Sequence, residues 1–200
     1  MDTTPPSVRQ RRGRGARERI LKAAGELFTA RGLNATGIEL LAHTANVSKR
    51  TLYTHFASKD DLVHAFLTSI EDDLLPASSS ASESQPDPRA QLLAIFDWQP
   101  NTPDSPVRGC PFLNAAIEFP DPEHPVHQLA AAYRNEFAQR LIALARAAGA
   151  SDPQRLGEQL ALLYDGAEAR SVALNSTAIG AAAHSVATKL IDAAITSIPT

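Results

Sequence analysis

TGIELLAHTANVSKRTLYTHF, residues 36–56, holds two short helical patterns separated by Ala45-Asn46-Val47. Ile38, Leu41 and Ala42 share one side of the first pattern, and Leu52 and Phe56 one side of the second. Asn tolerates the positive φ of a tight inter-helix turn better than most residues with a side chain. Thr36 can cap the first segment and Ser48 the second. This is helix-turn-helix spacing. Ala42 is small where the helices approach, and Leu41, Val47, Leu52 and Phe56 are the expected shared core. Lys49, Arg50, Thr51, Tyr53, Thr54 and His55 are left on the outer side of the second helix.

Charge agrees with a polyanion-facing end. The 200 residues carry a net charge of −3, unevenly spread. Residues 1–59 hold eleven Lys/Arg against four acids, and the remainder holds eight against eighteen. The basic end suits nucleic acid, and the acidic remainder suits a solvated, self-contained body. No apolar run approaches the roughly 18 residues of a membrane span. The N-terminus has no apolar stretch of a signal peptide, and Cys110, the only cysteine, has no internal partner, so a reducing cytoplasm is expected.

Outward from the opening stretch the pattern stays helical. Residues 1–16 are Pro-, Arg- and Gly-rich and are expected to be a disordered basic arm. Arg17 to Arg31 is amphipathic, with Ile20, Leu21, Ala24, Leu27 and Phe28 on one face and Gly32 suited to its left-handed end. Ser58 and Asp61 form a capping box for the next helix, which buries Leu62, Phe66 and Ile70. PASSSASESQPDP, 76–88, reads as a linker or loop. Further helices are expected over 88–98, 110–118, 126–148, from Asp152-Pro153 onward, and over 178–198, with a proline-broken loop after 98. No strand pattern is evident. The expected fold is all-α with about nine helices: a helix-turn-helix domain over 17–58 and a second domain over 59–200.

The chemistry assigns roles on DNA. A recognition helix enters the major groove by its N-terminal residues, so Lys49, Arg50 and Thr51 are the candidates for base edges. Tyr53 and His55 suit phosphates or thymine methyls. Lys59 and Thr36, each at a helix start, suit backbone phosphate, and Ser48 and Thr54 complete the candidate DNA-binding set. Arg9, Arg11, Arg12 and Arg14 would add nonspecific attraction.

RERILKAAGELFTARGLNATGIELLAHTANVSKRTLYTHFASKDDLVHAFL closely resembles the N-terminal domain of tetracycline-repressor-like (TetR/AcrR) transcriptional regulators. The resemblance covers about residues 16–67, and VSKRTLYTHFASKDDL is its most specific part. Asn46 stands where glycine is more usual, and Leu40 where the family often has an acid. The resemblance implies a homodimer, each subunit with a three-helix DNA head and a body that senses a small molecule. It implies an inverted-repeat operator, with repressor action relieved when an apolar or amphipathic effector tilts the helix after the head. It also turns helices 154–174 and 178–198 into the expected dimer surface, with Ala161, Ala167, Ala183, Ala187 and Ala194 allowing close packing. A pocket is implied among Phe96, Trp98, Cys110, Phe112, Tyr133, Phe137 and Tyr164, with Asn114, Glu118 and Arg170 as polar groups.

Two alternatives come from single residues. Cys110 precedes Pro111 at a helix start, where backbone N–H groups and nearby Arg108 would lower a thiol pKa and favour a redox or electrophile sensor. His124 and His127, with Glu118 and Glu123, have the residue types of a zinc site, but Pro125 splits the pair and no metal or cofactor is assigned. G-x-S-x-G, P-loop and dinucleotide-glycine patterns are absent from the sequence, so an enzyme is not expected.

Overall fold

The computed structural model describes residues 8–83, 87–97 and 107–196. Among them are nine helices and no strand: α1 (Val8–Arg31), α2 (Ile38–Thr44), α3 (Lys49–His55), α4 (Lys59–Glu83), α5 (Pro88–Ala94), α6 (Pro111–Glu118), α7 (Pro125–Ala147), α8 (Pro153–Leu174) and α9 (Ile179–Thr196). Most of the expected punctuation is present. Gly32 and Gly149 end α1 and α7 with φ of 96° and 79°. Asp152 caps α8 by accepting the Arg155 N–H at 3.1 Å.

Three boundaries differ from expectation, the shortest difference being at α5, which ends at Ala94 with Ile95 as its C-cap rather than running to 98. The arm expected to lack structure over 1–16 is helical from Val8, because arginine and glutamine are good helix formers and no proline interrupts them. Residues 1–7 lie outside the described part. The linker expected over 76–88 is helical to Glu83. Alanine is the best helix former, serine is tolerated, and Pro76 removes a single N–H without stopping the helix.

The chain forms two compact units. The first contains residues up to Ile70 together with Asn114–Leu129. Helices α2 and α3 have seven residues each, too few to persist alone in water. They are held by burial of Leu41, Ala42, Leu52 and Phe56 with Ile20, Ala24 and Phe28 of α1 and Leu62, Val63 and Phe66 of α4. Each large apolar side chain contributes about 1.5–3 kcal/mol. Phe28 and Phe66 meet edge to face at 5.5 Å.

The second unit contains Glu71–Leu113 and Ala130–Thr200. Its core joins Leu92 and Phe96 with Phe137, Leu141 and Ala145 of α7, Leu156, Leu160 and Ala167 of α8, and Ala183, Ala187 and Ile191 of α9. Helices α7 and α8 cross closely at Gly157, where an added Cβ would sit 2.7 Å from the Ile142 backbone. This core corrects the expected dimer face. Ala167, Ala183 and Ala187 are buried inside the subunit, and Ala161 and Ala194 pack against the same core. The outward stripe is Leu162, Gly166, Ala169 and Ala173 on α8, with Ala182 and Val186 on α9. No helix among the described residues is long and apolar enough to cross a membrane.

Candidate DNA-binding surface and effector-binding body

The turn before α3 is built from local chemistry. Asn46 adopts φ 51°, its N–H donates to the His43 carbonyl at 3.0 Å, and the Val47 N–H donates to the Ala42 carbonyl at 2.9 Å. Ser48 Oγ then accepts the Thr51 N–H at 3.0 Å and lies 2.9 Å from Thr51 Oγ1. Arg19 Nε of α1 donates to the Ala45 carbonyl at 3.1 Å, fixing the end of α2. With Leu52 fully buried, the rotation of α3 is set. Lys49, Arg50, Tyr53 and Thr54 are exposed, and Thr51 and His55 half-buried.

These side chains are not equally available. Lys49 Nζ donates to Glu39 Oε1 at 2.6 Å across the turn. Their hydrogen bond and mutual charge hold the carboxyl below its ordinary pKa and the ammonium above its own. Both are largely exposed, so the pair is worth little to stability and can exchange with another anion. Arg50 has no ion pair among the described residues. Thr54 Oγ1 donates to the Arg50 carbonyl at 2.8 Å, and the Ser48 hydroxyl is occupied by its cap. Lys59 Nζ donates to the Asn34 carbonyl at 3.0 Å, and Ser58 and Asp61 complete the expected capping box.

Thr36 must be reassigned. It is fully buried, its hydroxyl donates to the Gly32 carbonyl at 2.7 Å, and the α2 N-cap is Gly37. A buried hydroxyl committed to a carbonyl cannot reach phosphate. Glu118 is reassigned too. It belongs to the first unit, where its carboxylate accepts the N–H groups of Leu33 and Asn34 at 3.0 and 2.5 Å. Asn114, half-buried, also lies in that unit. The histidines of the segment serve separately: His124 Nε2 is 3.2 Å from Asp60 Oδ2, and His127 Nδ1 is 2.7 Å from the Phe119 carbonyl. Among the described residues no group of three or more His, Cys, Asp or Glu is placed to hold a metal ion.

In the second unit the expected aromatics fall into two groups. Phe112 stacks on Tyr133 at 3.8 Å, and Tyr164 meets Phe96 at 5.9 Å and Phe137 at 4.9 Å. Trp98 lies outside the described residues. Arg170 is exposed on α8. The polar groups beside the rings escaped sequence reading: Arg134 of α7 pairs with Asp165 and Glu168 of α8, its guanidinium lying 5.6 Å from the Phe137 centroid. Nothing local signals this cluster, because it joins helices through residues more than thirty positions apart. Burial pushes the Glu168 carboxyl up to about 7, with Arg134 pulling it back down. The Ser171 hydroxyl, also buried, has no hydrogen-bond partner among the described residues.

Cys110 moves opposite to expectation. It is buried, and burial, followed by the Glu168 charge, pushes its thiol up. The Leu113 and Phe112 N–H groups and Arg134 oppose the rise without reversing it. The expected activation by a helix start is outweighed by desolvation, so the sulfur is held as a thiol.

A capped helix-turn-helix with a basic outer face, joined to a helical body, defines a DNA-binding regulator rather than an enzyme. The family model "Bacterial regulatory proteins, tetR family" matches residues 20–66, and "Tetracyclin repressor-like, C-terminal domain" matches residues 88–187. The chain belongs to the TetR family of transcriptional regulators. The crystal structure of SCO4454, a TetR-family transcriptional regulator from Streptomyces coelicolor, is 30% identical with a TM-score of 0.83 and covers 90% of this chain and 96% of its own. The transcriptional repressor KstR2 of Rhodococcus jostii is 37% identical over 93 residues, 46% of each chain. The transcriptional activator FasR of Mycolicibacterium smegmatis is 40% identical over 81 residues, 40% of this chain and 37% of its own. The chain thus spans less than half the length of these two curated relatives.

Proposed function

We propose that the protein is a homodimeric, effector-responsive repressor that binds an inverted-repeat operator through α3 and leaves it when a small apolar or amphipathic molecule occupies the body. The observation that carries this reading is the outer face of α3. Arg50 is exposed and has no ion pair among the described residues, beside Lys49, which is held by a solvent-exposed ion pair with Glu39. Arginine to guanine O6/N7 is the commonest specific contact, worth about 1–3 kcal/mol in discrimination. A single seven-residue helix makes few contacts, so two copies are needed, meeting successive major grooves about 34–36 Å apart. The exposed stripe of α8 and α9, with Leu162 74% exposed, supplies the self-association face.

The effector reading is supported by rings beside a buried polar group, the usual make-up of a small-molecule site. Phe112, Tyr133, Phe137 and Tyr164 supply apolar surface, and Arg134, Glu168 and Ser171 the polar contacts. Helix α4 follows α3 after three intervening residues and continues into the second unit, so a change in the body has a covalent route to the recognition helix. An effector that prefers the released state about 100-fold supplies about 2.7 kcal/mol, enough to empty an operator held near balance. The low similarity shared with both a repressor and an activator makes repression the part of this proposal that a promoter assay must decide. A thiol-sensing alternative is disfavoured by the raised Cys110 thiol.

The test is direct. Sedimentation of the full chain should give dimers, and selection from a random duplex pool should enrich inverted repeats that the protein retards in gels. Single subunits that retard no duplex at low ionic strength would refute the proposal.

A further inference from the structure

Asn34, in the turn between α1 and α2, is gripped from several sides. Its N–H donates to Glu118 Oε2 at 2.5 Å, its side-chain amide donates to the Glu118 carbonyl at 2.9 Å, and the neighbouring Leu33 N–H donates to Glu118 Oε1 at 3.0 Å. Gly32 leaves room for the carboxylate: a Cβ there would lie 3.2 Å from Glu118 Oε1. The Asn34 carbonyl, in turn, accepts Lys59 Nζ at 3.0 Å. A chain of contacts therefore runs from the end of α6 through one turn to the first cation of α4, across 84 and 25 positions of sequence.

The charges around Lys59 matter as much as the distances. Asp60 and Asp61 follow it directly on α4, yet Asp61 is occupied by the Ser58 N–H at 3.0 Å and Asp60 by His124 at 3.2 Å. Glu118 is occupied by two backbone N–H groups. Lys59 is consequently held by a neutral carbonyl rather than a carboxylate. A neutral acceptor orients an ammonium without cancelling its charge, and two of its three N–H donors stay available. Lys49 provides the contrast, its ammonium being paired with the exposed Glu39 carboxylate.

We infer that Glu118 is a positioning residue for DNA binding, fixing Asn34 so that Lys59 presents its ammonium to a backbone phosphate. The inference rests on the reading of the first unit as a DNA reader. It makes Asn114–Leu129, far from the helix-turn-helix in sequence, a working part of that reader. Removing the Glu118 carboxylate frees two N–H groups and lets the turn move, and Lys59 loses the carbonyl that aims it.

The experiment measures binding of the full chain to a duplex selected by the wild type, by fluorescence anisotropy over 50 to 200 mM KCl, for Lys59→Ala, Glu118→Ala, Glu118→Gln and the Glu118→Ala/Lys59→Ala double variant. Losing one phosphate contact lowers the slope of log K against log salt by about 0.9. Lys59→Ala and Glu118→Ala should each show that loss, and the double variant should show it only once. A purely structural role for Glu118 would lower the melting temperature without moving the slope. Glu118→Gln, which keeps the shape and one acceptor, covers the case in which the alanine variant fails to fold. It should retain the wild-type fold and show a smaller slope loss in the same direction. A wild-type slope in a folded Glu118 variant, or full additivity with Lys59→Ala, overturns the inference while leaving the DNA-reader proposal intact. A wild type that binds no duplex removes both.

Discussion

Replacing Glu168 with glutamine should make the protein more stable in mild alkali and leave it unchanged in acid. The Glu168 side chain is 12% exposed, and Arg134, which pulls its pKa down, is shared with Asp165. Burial wins, and the carboxyl titrates at about 7 instead of 4.5. Between those values the folded chain keeps a proton that the unfolded chain has released. Unfolding therefore becomes easier as pH rises: this stabilisation is complete below about pH 4.5 and is lost by the time pH has passed about 7. The interval corresponds to about 3 kcal/mol. The Cys110 thiol and Tyr133 phenol facing the cluster are both pushed up by burial, so neither deprotonates in that window. Glutamine imitates the protonated acid. The variant should match wild type near pH 4.5 and exceed it by up to about 3 kcal/mol at pH 8. For a chain of 200 residues that is a melting rise of about 6–12 °C. Thermal unfolding followed by circular dichroism from pH 4.5 to 8.5 measures the difference between the two proteins, which cancels the other carboxylates. Parallel profiles, or a variant less stable than wild type at pH 8, would refute the reasoning.

Arg50→Ala should cost about 1–3 kcal/mol on a selected operator and flatten the preference over random duplex, read by competition gel shifts. Leu162→Glu puts a charge on the exposed α8 stripe and should convert dimers to monomers in sedimentation without lowering helicity. Gly157→Ala forces a methyl against the Ile142 backbone and should lower stability by about 1–3 kcal/mol in denaturant unfolding. Cys110→Ser should release DNA under N-ethylmaleimide or peroxide no differently from wild type, and the native thiol should react at least about tenfold more slowly than a free cysteine.

What could be read from the sequence was chemistry that closes within about four residues. Asn46 in its turn, Ser48 on Thr51, Ser58 with Asp61, and Gly32 after α1 each needed only near neighbours, and together they locate the helix-turn-helix. Errors begin where partners are remote or composition is ambiguous. Thr36 has the right residue type for a cap, but Leu33 and Thr36 turn inward as α1 ends, and the hydroxyl finds Gly32 instead. Alanine lines both faces of α8 and α9, so hydrophobicity cannot tell inward Ala167 and Ala187 from outward Ala169 and Ala182; only the phase set by Leu160 and Ile191 in the core does. Cys110 shows the same limit in electrostatics. Its sequence neighbours are a helix start and Arg108, which favour thiolate, whereas Glu168 and the desolvating core arrive from other helices and favour thiol. The Glu118–Asn34–Lys59 chain has no local signature at all, because an acid near the end of a short helix normally faces solvent. A buried or bridging role for such a residue follows only from which backbone N–H groups the fold brings to it, and here those belong to a turn whose glycine leaves it open to approach.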